Sequence, residues 1–144
     1  MDRRTLLSLF AGLGLCTLPS SALAAARIAI IANRKNPTSH LPVDEIEAIF
    51  RALKQHWPGG KRILAFNFPA KHALRVDFDR AALHMEPAEV ARYWIDQRVR
   101  GGQHPPVVVP DAKTMLQVVS GVDSAIGYVL VSEVTQTVKV LAEV

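Results

Sequence analysis

The sequence predicts an α/β domain, a three-layer sandwich with a mainly parallel central sheet. Three short, almost wholly apolar runs, Ile28 to Ala32, Ile63 to Phe68 and Ala125 to Leu130, have the length and composition of strands buried on both faces. Between them lie segments whose apolar residues recur every three or four positions, the period of a helix with one buried face. Such alternation of strand and helix is the pattern of layers packed on a parallel sheet.

In order along the chain, Ile28 to Ala32 form the first strand, and Asn33-Arg34-Lys35-Asn36-Pro37 ends it in a loop. Pro42 opens a helix that places Val43, Ile46, Phe50 and Leu53 on one face with Ile49 beside them. Asp44, Glu45 and Glu47 sit near its start, where carboxylates favour the positive end of the helix dipole. Pro58-Gly59-Gly60 makes a turn before the second strand, Ile63 to Phe68, which Pro69 terminates. Leu74, Phe78, Ala81 and Ala82 mark a helix beginning near His72, and Pro87 begins another whose inner face carries Val90, Tyr93 and Trp94. Arg100-Gly101-Gly102 stops it, and Pro105-Pro106 is stiff extended chain leading to a short strand at Val107 to Val109. Asp111 is a good N-cap for a helix with Ala112, Met115, Leu116 and Val119 on one face, ended at Gly121. A strand at Ala125 to Leu130, a short turn or helical piece from Val131 to Gln136 and a last strand at Val138 to Leu141 complete the chain. The sequence shows neither an internal repeat nor an interdomain linker.

Residues 1–24 read as a secretory signal peptide and residues 25–144 as one domain. Arg3 and Arg4 precede an apolar run from Leu6 to Leu18, and Ala22-Leu23-Ala24 supplies the small residues read at cleavage. The run is shorter than the roughly 20 residues needed to cross a bilayer, so no membrane span is expected after cleavage. Arg3-Arg4-Thr5-Leu6-Leu7 also resembles a twin-arginine signal, which leaves the general secretory and twin-arginine routes both open. Leu15, directly before the single cysteine Cys16, is too bulky for a good lipoprotein box. The expected location is the periplasm, and the expected mature chain, free of cysteine, must be held by packing alone.

Charge and composition exclude several classes of function. The net charge of +4 is mild and spread along the chain, with small groupings at Lys61-Arg62 and Arg98 to Arg100 and no aromatic interleaving. It suits an anionic partner and carries no nucleic-acid signature. The histidines at 40, 56, 72, 84 and 104 are too widely spaced for a helical zinc pair. No serine stands in a nucleophile elbow, and Gly59-Gly60 and Gly101-Gly102 stand alone as turns rather than in a phosphate loop. The reading is a non-enzymatic protein without metal or cofactor.

The order of several short motifs resembles the second lobe of phosphate-type periplasmic solute-binding proteins, of the type 2 periplasmic-binding-protein-like fold. They are the apolar strand ending in Asn33 with Asn36-Pro37 after it, then Ile49-Phe50 and Trp57-Pro58-Gly59-Gly60-Lys61. Asn67, Phe78, Trp94 and Ala125-Ile126-Gly127-Tyr128-Val129 follow in the same order. The resemblance covers essentially the whole of residues 25–144 and implies a short, single-lobe member of that family.

The resemblance also locates a candidate site and a departure from it. Family members that bind phosphate carry an arginine after the asparagine of the second strand and Ser-Gly-Thr at the start of the next helix. Here those positions hold Phe68 and His72-Ala73-Leu74. What remains is a helix N-terminus flanked by charge, and Lys71, His72, Ala73, Leu74 and Arg75 are the candidate anion-binding residues. Two readings follow: a solute-binding-like protein that takes phosphate or another small anion weakly, or a lobe kept as a scaffold for an envelope protein. The single lobe implies either that the protein forms a homodimer or docks on a partner to complete a cleft, or that it no longer binds a small solute tightly.

Overall fold

The computed structural model describes residues 27–144; the expected signal peptide and its cleavage site lie outside the described residues. The elements run β1 (Ile28–Asn33), α1 (Val43–Phe50), β2 (Leu64–Asn67), α2 (Ala73–Ala82), α3 (Pro87–Val99), β3 (Val107–Val108), α4 (Ala112–Gly121), β4 (Ala125–Leu130) and β5 (Val138–Glu143), with a 3-10 turn at Val131–Glu133. The strands form one sheet in the order β3-β2-β4-β1-β5.

The α/β class and the three layers are as the sequence predicts, but the sheet is mixed. β2 runs parallel to both β3 and β4, whereas β1 runs antiparallel to β4 and to β5. Four strands therefore point one way, and β1 alone is reversed in the interior of the sheet. The reason lies between α1 and β2. The chain turns sharply at Trp57 to Lys61, where Gly59 and Gly60 adopt positive φ and an antiparallel bridge joins His56 to Arg62. This turn adds a reversal that a plain count of alternating strands and helices does not include.

β1 is buried along its whole length, because strands flank it on both edges and helices cover both faces. β4 shows how the faces are divided. Tyr128 packs on one side among Phe50, Phe68 and Phe78 from α1, the end of β2 and α2. Gly127 faces α4 on the other, where a Cβ would overlap the sulfur of Met115. The missing side chain lets α4 lie close against the sheet. Asn33 fixes the end of that helix, its Nδ2 donating to the carbonyls of Val119 and Ser120 at 3.0 Å each.

The helix ends follow their sequence signals. Asp111 accepts from the Thr114 N–H at 2.8 Å, and Glu89 accepts from the Glu86 N–H at 2.8 Å ahead of Pro87. α1 ends one turn earlier than its apolar spacing suggests. The Leu53 N–H reaches the Ala48 carbonyl at 2.8 Å and the Ala52 N–H the Ile49 carbonyl at 3.0 Å, the Schellman pattern, with Ala52 at φ 57° where glycine is usual. Leu53 is consequently left exposed outside the helix, and Val43 is exposed as well, whereas both were expected on the inner face.

The two tryptophans also separate. Trp57 is buried and its indole N–H donates to the Ser124 carbonyl at 2.9 Å, joining the turn before β2 to the entry of β4. Trp94 is only half-buried, packed edge-on against Tyr93 at 4.9 Å. α3 lies over α2 at the rim of the molecule and buries only Val90 fully, so the expected inner face of Tyr93 and Trp94 is half covered. Tyr93 ties α3 to α1, its hydroxyl donating to the Arg51 carbonyl at 2.7 Å.

Candidate anion site at the start of α2

The site begins where β2 ends. Asn67 is buried, and its side-chain oxygen accepts from the Phe68 N–H at 2.9 Å and from the Tyr128 hydroxyl. Its backbone carbonyl accepts from the Val109 N–H at 2.8 Å, so one asparagine holds β4 and the segment leaving β3 against the end of β2. Phe68 follows with no exposed surface, its ring edge-on to Tyr128 at 5.2 Å and stacked on His72 at 4.5 Å and 16°. Pro69 to Lys71 then turn the chain into α2.

Each of the five candidate residues has a definite place. Lys71 and Ala73 are exposed, and Lys71 has no carboxylate partner among the described residues. His72 is the N-cap of α2: its Nδ1 accepts from the Leu74 N–H at 3.2 Å, while its ring lies on Phe68. The N-cap hydroxyl of the related pattern is thus replaced by an imidazole that takes one of the first-turn donors for itself. Leu74 is buried in the core. The N–H groups of Ala73 and Arg75 find no acceptor among the described residues.

Arg75 turns inward. One guanidinium nitrogen donates to the Phe68 carbonyl at 2.8 Å, and its Nε lies 3.5 Å from Oδ2 of Asp79 one turn along α2. The side chain is only 12 % exposed, so its charge serves the interior rather than a ligand at the helix mouth. The structure therefore gathers His72 and Arg75 around Phe68 and leaves Lys71 as the outward cation.

Asp79 is the residue the sequence reading passed over. It is buried, its Oδ1 has no hydrogen-bond partner among the described residues, and burial pushes its carboxyl up to about 6 despite the opposing charge of Arg75. Burial, and then the neighbouring Asp79 charge, also raise the Tyr128 hydroxyl well above the usual tyrosine range, so it stays a neutral donor to Asn67. The only sequence signal for this pair was the spacing of Arg75 and Asp79, four apart on one helix face. Chemically, the start of α2 offers two free backbone donors, a positive dipole end and one exposed ammonium. Among the described residues no group of three or more histidine, cysteine, aspartate or glutamate side chains could hold a metal, and no helix is long and apolar enough to cross a membrane.

The mixed five-stranded α/β sandwich formed by the described residues is shared with part of several larger solved structures. An ABC-type phosphate transport receptor from Vibrio cholerae superposes with a TM-score of 0.64 at 18% identity, over 81% of this chain and 46% of its own. A putative phosphate ABC transporter substrate-binding protein with bound phosphate from Clostridium perfringens gives 0.63 at 20% identity, over 81% and 45%. PstS from Borrelia burgdorferi gives 0.63 at 15% identity, over 81% and 47%. This chain spans less than half the length of each. No protein-family model and no curated protein matches the sequence.

Proposed function

We propose that this is a non-enzymatic, periplasmic solute-binding-like protein, which takes phosphate or a similar small anion weakly at the start of α2. The observation that carries the reading is the pair of unpaired N–H groups, on Ala73 and Arg75, at the positive end of a helix whose fold counterparts are phosphate receptors. Lys71 adds an exposed positive charge, and the start of α2 carries an imidazole N-cap in place of a hydroxyl grip. Affinity is therefore sub-millimolar at best and falls with added salt.

Calorimetric titration of phosphate into the protein and into a Lys71→Ala variant tests this. The expected result is weak, salt-sensitive binding that Lys71→Ala reduces. Arg75→Ala is a poor probe, since it would remove the internal partner of Asp79 and of the Phe68 carbonyl. Phe68→Arg is equally unsuitable, because it would place a guanidinium where a ring is fully buried.

The second reading is a scaffold that binds another envelope protein and no small solute. The commitment of Arg75 to the interior and the capping of Leu74 by His72 favour it, because both use up groups a ligand would need. A flat phosphate titration of folded protein would make it the better account.

A further inference from the structure

We propose a second site, distinct from the start of α2, that takes a small organic anion with an apolar body. It is a cleft of about 140 Å³ between the end of α1, the start of β2 and the loop that leads into β3. Ile49, Ile63, Leu64 and Val107 supply its apolar wall, and Arg62 and His104 stand on its polar side. None of Lys71, His72, Ala73, Leu74 or Arg75 lines it.

Size sets the class of ligand. A cavity of about 150 Å³ holds a benzene-sized molecule, so this cleft suits a single ring or a short branched chain. Charge sets its sign. The lining contains Lys54, Arg62 and His104 and no carboxylate. Lys54 is already held by Glu45 at 2.7 Å, whereas Arg62 is exposed and has no carboxylate partner among the described residues. A guanidinium presents its donors as a planar fork that matches a carboxylate, and the apolar wall has nothing to offer a fully hydrated inorganic anion.

The test is a titration with sodium benzoate, followed by calorimetry and by amide chemical shifts, with benzamide as the neutral counterpart. Benzoate should bind with a dissociation constant of about 1 mM or tighter, and benzamide at least about tenfold more weakly. Shifts should centre on Leu64, Gln103 and Val107. Arg62→Gln, at an exposed position, should weaken benzoate at least about tenfold, the effect of losing one charge-assisted pair. Lys71→Ala should leave benzoate binding unchanged, which keeps this result separate from the fate of the phosphate site. The proposal is overturned by absence of benzoate binding up to about 10 mM, by equal affinity for benzamide, by an Arg62→Gln variant that binds as well as the parent, or by shifts centred on the start of α2.

Discussion

Asp79 shows how a single side chain can set the pH response of the whole molecule. Its folded value of about 6 lies above its ordinary 3.8, because burial penalises the charged form more than Arg75 rewards it. The folded state therefore holds the proton more tightly than the unfolded chain, and this group makes the protein less stable as pH rises through about 6. Relative to Asp79→Asn, which cannot titrate, the parent should gain about 2 kcal/mol of stability between pH 7.5 and 4.5. Urea unfolding of both proteins across that range checks it, and an unchanging difference would mean that Asp79 stays ionised. Gly127 is the other decisive residue. An added methyl meets Met115, which has no exposed surface, so Gly127→Ala should cost about 1–3 kcal/mol through overpacking. A thermal melt equal to that of the parent would show that α4 can move away from the sheet without loss.

Among the elements, the two tryptophans distinguish core from rim. Trp57 joins the turn before β2 to the entry of β4 and is buried, so Trp57→Ala should cost about 3–5 kcal/mol. Trp94 lies on α3, which buries only Val90 fully, and its truncation should cost markedly less. Equal losses for the two variants in denaturant unfolding would place α3 deeper than it lies here. The elements were largely legible beforehand. The run Ile28 to Ala32 read as a short buried strand, and Asp111 and Pro87 announced their helices by capping chemistry. The end of α1 was not legible, because the helical spacing continues through Leu53 while the Schellman turn closes at Ala52, and alanine carries no signal for a left-handed conformation. The start of α2 was legible as a helix N-terminus, and its side-chain chemistry only in part. His72 as N-cap follows from its position, but the inward turn of Arg75 depends on the Phe68 carbonyl and on a buried Asp79 that the helical pattern alone presents as another polar residue.

For the whole molecule, the export reading implies a protein that begins at or near Ala25 outside the inner membrane. N-terminal sequencing of exported protein should find that terminus, and a lipid-modified Cys16 there would instead mean a membrane-anchored protein. By itself the sequence determined the α/β class and the succession of elements, because periodicity, caps and turn residues are local properties that survive without knowledge of packing; the likeness to one lobe of a solute-binding protein came separately, from the order of its short motifs. Only the tertiary structure decided the direction of β1, the depth of each tryptophan and the fate of Arg75. Those depend on which distant surfaces meet: an extra chain reversal at Trp57 to Lys61 sets strand direction, a rim position leaves Trp94 half covered, and a carbonyl and a carboxylate in the interior claim a guanidinium that the linear order places at the mouth of the site.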